Sequence, residues 1–190
     1  MLGVEGGTLT PAQAQDAIFG FTVFNDWSAR DVQSREMKVR LGPCKGKDFA
    51  TTLGPWITTV DEVADRFDDE GFLDLEMTVA VNGREIGRDS LADMGWPFRE
   101  LIAYASRDAR VLPGDVLGSG TCGTGCLAEL WGRNGALDPP PLQPGDEVTM
   151  TVERLGTISN TVGSPREVPP IPRARPRPGS PAARARASVG

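Results

Sequence analysis

"LDLEMTVAVNGREIGRDSL", residues 73–91, carries the clearest secondary-structure signal in the chain. Its first half alternates apolar side chains with polar or small ones, which is typical of a β-strand with one buried face. Asn82-Gly83 follows, a pair that favours the type I′ turn because both central positions need a positive φ. The stretch therefore predicts a β-hairpin that turns one apolar row toward the core: Leu73, Leu75, Met77, Val79 and Val81.

The segments on either side of this hairpin predict more strands and a few short helices. The first of two helical segments has a capping box and a proline at its first helical position. The second has apolar residues at i, i+3, i+4 and i+7. The predicted helices fall within residues 10–18 and 96–112, and the predicted strands within 18–24, 54–63 and 143–163. Because strands dominate, the sequence predicts an α+β domain that is mostly β. Pro-Gly-Asp occurs twice, at 113–115 and 144–146, and indicates two turns rather than an internal repeat.

The overall composition is that of an ordinary globular protein. Of the 190 residues, 39% are hydrophobic and 24% are charged, and no apolar run approaches the ~18–20 residues of a membrane span. The N-terminus carries no secretory pattern. Three cysteines, Cys44, Cys122 and Cys126, fit a reducing compartment better than a disulfide scaffold. We expect a cytoplasmic protein with no membrane partner.

Histidine is absent from the sequence. This excludes Ser-His-Asp triads, Cys-His pairs and histidine-ligated zinc within the chain. Any bound metal must then sit on oxygen ligands, which favour hard cations such as Mg²⁺, Ca²⁺ or Mn²⁺.

Charge is distributed unevenly along the chain. Six arginines and one glutamate give residues 164–190 a charge of +5, which leaves −11 for the remainder of a chain whose total is −6. The acidic body argues against nucleic-acid binding by residues 1–163. The tail, rich in Pro, Arg and Ala, is predicted to be disordered because it has too little apolar surface to bury. Its arginines could contact RNA or anionic lipid, or the tail could be solvated without a partner.

The first candidate site joins "NDWSARDVQ", residues 25–33, to "LGPCKGKDFATTLGPW", residues 41–56. The first segment follows an apolar run, where uncompensated polar groups are costly to bury. Asp26 could hold a hard cation and Arg30 could bind a carboxylate through its planar fork. Gln33 could donate to an oxyanion, and Lys47 could neutralise developing charge.

The competing interpretation of these segments is a solvated turn with local Asp-Arg pairs. Aromatic residues that bracket the polar groups favour a site instead. These are Phe24, Trp27, Phe49 and Trp56.

The second candidate site is "GSGTCGTGCLAEL", residues 118–130. Its glycines could form an anion-cradling loop, to which Thr121 or Thr124 would add a hydroxyl, although the loop matches neither a P-loop nor a dinucleotide fingerprint. Cys122 and Cys126 are interpreted as small buried residues rather than as a zinc site or a catalytic thiol. Glu129 could be a base or an outward-facing strand residue.

Taken together, these segments resemble the catalytic C-terminal domain of the fumarylacetoacetate hydrolase family. The resemblance runs from about Thr10 to Gly163 and is carried mainly by the NDWSARD–Q and GKDF–T blocks. It implies rolled, layered β-sheets, a homodimer, and Mg²⁺, Ca²⁺ or Mn²⁺ bound on carboxylates. It also implies a small dicarbonyl acid as substrate, and for many members cleavage of a carbon–carbon bond.

The resemblance also implies roles for individual residues. The carried-over roles are Asp26 and Thr51 at the metal, Arg30, Gln33 and Thr121 at the substrate, and Lys47 and Glu129 in catalysis. Asp26, Arg30, Lys47 and Thr121 are therefore expected to converge on one cavity.

Two features of the family pattern have no counterpart here. The family's Glu-x-Glu pair of metal ligands and its catalytic histidine would lie upstream of Met1, and Glu5 is a poor substitute. We therefore expect an N-terminally truncated or misannotated form that binds metal weakly and turns over slowly, because one carboxylate does not make a tight site.

Three functions remain open at this point. The first is a metal-dependent hydrolase that cleaves a carbon–carbon bond in a 1,3-dicarbonyl acid such as fumarylacetoacetate or an acylpyruvate. The second is an isomerase, hydratase or decarboxylase of 2-oxo acids on the same scaffold, and the third is a catalytically inactive fragment.

Overall fold

The computed structural model describes residues 1–172 and 177–181. It contains eight β-strands and four α-helices within those residues. The strands are β1 (Gly6–Gly7), β2 (Gly20–Asp26), β3 (Thr51–Thr59), β4 (Glu76–Val81), β5 (Arg84–Ser90), β6 (Arg110–Val111), β7 (Glu147–Val152) and β8 (Gly156–Thr161). The helices are α1 (Pro11–Asp16), α2 (Arg30–Glu36), α3 (Phe98–Ala105) and α4 (Leu127–Asn134).

The predicted hairpin is confirmed as β4 and β5, which form the centre and edge of a four-stranded antiparallel sheet in the order β5-β4-β7-β8. Val81 pairs with Arg84 across the turn, and Asn82 and Gly83 both take the positive φ of a type I′ turn, 51° and 75°. Leu73 and Leu75, just ahead of β4, have no solvent exposure. The apolar row that the alternation predicts is therefore part of the core.

A second antiparallel pair, β2 and β3, packs against this sheet through contacts with β7 and β8. The core lies between the two layers, and its members come from both: Phe21 and Val23 from β2, Val152 from β7 and Ile158 from β8. Helix α3 closes one end, with the Phe98 ring 5.0 Å from the ring of Phe21. This layered arrangement is the mostly-β α+β fold that the sequence predicts.

Local signals placed the ends of several elements correctly. Helix α1 begins after the Thr10 N-cap, whose hydroxyl accepts from the Gln13 N–H while the Gln13 side chain accepts from Thr10 N–H. Both Pro-Gly-Asp turns are present and are built alike. Asp115 accepts from the N–H of Leu112, and Asp146 accepts from the N–H of Gln143.

Two helices were missed by the sequence prediction. Neither α2 nor α4 has a side-chain hydrogen bond at its N-cap, which is Ala29 in one case and Cys126 in the other. The usual sequence signature of a helix start is therefore absent from both. The interpretation of Glu129 as an outward-facing strand residue is wrong, since Glu129 lies in the first turn of α4.

Residues 164–172 are exposed and form neither helix nor strand. The predicted disorder of the 164–190 tail extends to residues 173–176 and 182–190, which lie outside the described residues, and it stays a prediction. Across the part of the chain that is described, no helix is both long enough and apolar enough to cross a bilayer.

Candidate active site

The candidate site forms where β2 ends. A cavity of about 360 Å³ lies between the two sheet layers, and its wall includes Asp26, Arg30 and Thr121. Antiparallel pairing places Thr51, the first residue of β3, directly opposite Asp26. Behind these polar groups the wall is apolar, with Met77, Ile102, Val152 and Leu155 among its members. The cavity thus has a polar mouth and an apolar interior.

Lys47 reaches this mouth through an ion pair. Its Nζ lies 2.5 Å from Oδ2 of Asp26, and the two side chains are 26% and 48% exposed. The pair joins the two sequence blocks of the first candidate site, 21 residues apart. Asp26 therefore has a partner, and the ammonium group is held beside the cavity.

Arg30 and Gln33 lie on one face of α2 because they are three residues apart. Nη1 of Arg30 donates to Oε1 of Gln33 at 2.6 Å. Arg30 lines the cavity, whereas Gln33 contacts it only through Arg30. The geometry gives Gln33 a way to orient the guanidinium group.

The glycine-rich loop forms the opposite side of the mouth. Gly118 packs so closely on the ring of Phe24 that a Cβ there would come within 2.9 Å of the ring. Thr121 follows in the cavity wall, beside Ser119 and Cys122. The loop thus brings a hydroxyl to the mouth that Asp26 and Arg30 share.

Strand β5 and helix α4 hold this loop in place. The Thr124 N–H donates to Oε2 of Glu129 at 2.8 Å, and the Gly123 N–H donates to Oδ2 of Asp89. At Gly87 a Cβ would lie 2.2 Å from the Thr124 carbonyl oxygen, so β5 and the loop can meet only because residue 87 is glycine.

Glu129 is therefore not brought to the other predicted site residues. Its second oxygen, Oε1, pairs with Nη2 of Arg133 at 2.5 Å, and Glu129 is absent from the described wall of the larger cavity. Its catalytic role stays a prediction, and the contacts observed are those of a group that holds the loop.

The aromatic bracket predicted from sequence is only half present. Phe24 lines the cavity and Trp27 packs against the core. Phe49 and Trp56 are each 57% exposed and do not line it.

Asp89 belongs to a part of the site that sequence reasoning missed. A second cavity of about 190 Å³ lies behind the glycine-rich loop, which separates it from the first, and its wall includes Asp89, Asp93 and Trp96. A hydrogen bond with Asp89 raises the pKa of Asp93. Asp89 lies in β5, the second strand of the hairpin, and no motif in the sequence singled it out.

Cys122 separates the two cavities, and its thiol should react slowly. Burial, and secondarily the charge of Asp89, raises the pKa of Cys122 to about 11. Iodoacetamide reacts with the thiolate, and little of Cys122 is thiolate at pH 8. We therefore expect iodoacetamide to alkylate Cys122 about a hundredfold more slowly at pH 8 than a thiol of ordinary pKa. The rate should keep rising with pH up to about 11. Peptide mass spectrometry checks this against the exposed Cys44, and equal alkylation of the two at pH 8 would contradict it.

The side chains at the mouth do not form a complete cation site by themselves. Within the described residues, no group of three or more His, Cys, Asp or Glu side chains is placed to hold a metal ion. Asp26 is the one carboxylate among the residues described as lining the larger cavity, and Lys47 already pairs with it. Since Mg²⁺ and Ca²⁺ take six or more oxygen ligands, Asp26 and the nearby Thr51 supply a partial set.

A family model and the curated relatives of this chain indicate the same protein family. Residues 1–163 match the family model described as the fumarylacetoacetate hydrolase C-terminal domain. The chain is 32% identical over 173 residues to the fumarylacetoacetase of Arabidopsis thaliana, covering 73% of this chain and 41% of that protein. It is 33% identical over 165 residues to the mitochondrial oxaloacetate tautomerase Fahd2a of Rattus norvegicus, covering 85% of this chain and 47% of that protein.

A solved structure shares the fold. Fumarylpyruvate hydrolase from Pseudomonas aeruginosa, crystallised with Mn²⁺ and pyruvate, superposes with a TM-score of 0.67 at 23% identity, covering 85% of this chain and 61% of that one. The chain spans about half the length of the curated relatives it matches. With 163 residues matching the family model, this chain belongs to the fumarylacetoacetate hydrolase family, in the region of its C-terminal domain.

Proposed function

We propose that this chain carries the reactive groups of an enzyme that cleaves a carbon–carbon bond in a small 1,3-dicarbonyl acid, such as an acylpyruvate or fumarylacetoacetate. The observation that supports this most is that Asp26, Arg30 and Thr121 line one cavity and that Lys47, which is outside the described wall, pairs with Asp26. The Lys47 ammonium, the Arg30 guanidinium and the Thr121 hydroxyl lie around one opening. These groups suit a substrate with one carboxylate and two carbonyl oxygens.

In the proposed hydrolysis, water adds to the carbonyl carbon distal to the acid group. The bond between that carbon and the neighbouring methylene breaks, and for an acylpyruvate its electron pair leaves as the enolate of a 2-oxo acid. Protonation at carbon then gives pyruvate from an acylpyruvate. The ammonium of Lys47 would stabilise the enolate oxygen, and Arg30 would hold the carboxylate in register.

A divalent cation, Mg²⁺, Ca²⁺ or Mn²⁺, is part of the proposal because the relative from Pseudomonas aeruginosa holds Mn²⁺. The donor set here is incomplete, so no step is assigned to the ion. We expect Mn²⁺ to bind this chain with a Kd of about 1 mM or weaker, since a single carboxylate resembles the weakest oxygen-ligand sites.

Tautomerisation of a 2-oxo acid is the second candidate function, because two relatives are named oxaloacetate tautomerases. It passes through the same type of enolate and needs Lys47 and Arg30 in the same places. It differs from hydrolysis in that no water adds to a carbonyl carbon. A proton moves between the carbon and the oxygen of the enol instead.

The test separates the two reactions by their products. Purified chain, with Mn²⁺ raised stepwise from zero to well above the expected Kd of about 1 mM, is given acetylpyruvate in H₂¹⁸O and, separately, enol oxaloacetate. Hydrolysis yields pyruvate with ¹⁸O in the acetate, whereas tautomerisation yields only faster enol–keto exchange of oxaloacetate. If neither substrate is converted and neither binds, both proposals fail and the inactive fragment is favoured.

A further inference from the structure

The carboxylate of Glu36, the last residue of α2, lies inside a nest of backbone donors. Its Oε1 accepts from the Lys45 N–H at 2.8 Å. Its Oε2 accepts from the N–H groups of Cys44 and Gly46 at 2.8 and 3.1 Å. Three consecutive N–H groups directed at one anion are a strong arrangement, because each bond is charge-assisted. These bonds hold the pKa of Glu36 below its ordinary value.

The segment that leads from α2 to this nest is exposed. After a short 3-10 helix, Met37–Val39, the chain passes through exposed residues, and Leu41 is 89% exposed. Few buried apolar contacts mean a low cost of local opening. The Glu36 carboxylate is therefore one of the contacts that order residues 44–46.

A second contact fixes the same segment from the other side. The Gly46 carbonyl accepts from the Ala29 N–H at 2.9 Å. Gly46 packs so closely on Gln33 that a Cβ would lie 2.9 Å from the Gln33 nitrogen. Residue 46 is thus fixed against Ala29 and Gln33 of the first sequence block, one position before Lys47.

We propose that Glu36 is the positioning residue for Lys47, acting through the backbone of residues 44–46 to hold the lysine against Asp26 at the cavity mouth. The catalytic part of this inference rests on the proposed function, while the positional part does not. Lys45 shows the alternative environment, since its side chain is 76% exposed. Without the nest, Lys47 would be free to leave Asp26 for solvent.

The experiment uses the full chain and two variants, Glu36→Ala and Glu36→Gln. Glu36→Gln keeps one acceptor oxygen and replaces the other with donors, so it should have an intermediate effect. Arg35→Ala is the matched control, an exposed neighbour on the same helix. Urea denaturation confirms that each variant folds.

Two measurements are made on these proteins. The first is the rate at which an amine-acylating reagent labels Lys47, read by peptide mass spectrometry with the exposed Lys38 as internal reference, because the Lys45 N–H is itself bonded to Glu36. The Lys47 rate should rise severalfold in Glu36→Ala. The second is acylpyruvate hydrolysis, where kcat should fall about ten- to hundredfold with little change in KM, as expected for a displaced catalytic group. In a Lys47→Ala background, Glu36→Ala should have no further effect on kcat.

The outcomes separate the two proposals. Unchanged Lys47 labelling in folded Glu36→Ala and Glu36→Gln overturns the positioning role, as does a kcat loss that persists undiminished in the Lys47→Ala background. If labelling changes as expected but the wild-type chain converts no dicarbonyl acid, the positioning of Lys47 stands and the proposed function fails.

Discussion

Lys47→Ala should lower kcat for acylpyruvate hydrolysis by about 10²–10³-fold, the usual loss when one donor that stabilises a developing oxyanion is removed. The reason is the position of its ammonium, 2.5 Å from Asp26 beside the cavity. KM should change much less, because Arg30 and Thr121 still line the cavity and hold the acid. Steady-state kinetics with a pyruvate-coupled assay measures both constants.

Lys45→Ala is the control for this prediction. Lys45 stands two positions earlier and pairs with Asp48 on the surface. Its removal takes away the same charge from the same turn but leaves the Asp26–Lys47 pair intact. If the two variants lose activity equally, the effect is a general one of charge or of loop stability, and the role proposed for Lys47 is wrong.

Leu75→Ala should lower the free energy of unfolding by about 2–5 kcal/mol, the range for a leucine truncated in a packed core. Leu75 has no solvent exposure and lies where the hairpin strand enters the core between the two sheet layers. The truncation leaves a cavity that the surrounding sheet cannot fill. Urea denaturation followed by tryptophan fluorescence gives the value.

The matched control is Leu41→Ala, in which the same atoms are removed from an exposed site. It should change the free energy of unfolding by less than about 0.5 kcal/mol. Equal unfolding midpoints for Leu75→Ala and the wild-type chain would place the hairpin outside the cooperative core and contradict the fold described above.

The features that could be predicted from sequence are those that depend on neighbouring residues. Alternation over residues 73–81 and the Asn82-Gly83 turn specify the hairpin because side-chain period and positive φ are local properties. The capping box of α1 and the two Pro-Gly-Asp turns follow for the same reason. Helices α2 and α4 were missed because neither begins with a side-chain cap, so nothing local marks their starts.

The same distinction between local and long-range information applies to the candidate site. Sequence alone identified Asp26, Arg30, Lys47 and Thr121 as chemically suited groups, because residue type and motif spacing are visible in one chain. That three of them share one cavity wall and the fourth pairs with Asp26 depends on the β2–β3 register and on the path of the glycine-rich loop. Those are contacts between residues far apart in the chain.

Local sequence patterns are therefore enough to specify the mostly-β class of this protein, its hairpin and the residue types of its candidate site. The contacts of three carboxylates became visible in the folded chain alone: Glu129 accepts from the loop at Thr124, Asp89 accepts from it at Gly123, and Glu36 accepts from the turn before Lys47. This is because a carboxylate binds whichever backbone donors the packing of sheets and loops presents to it. No local pattern specifies which donors those are.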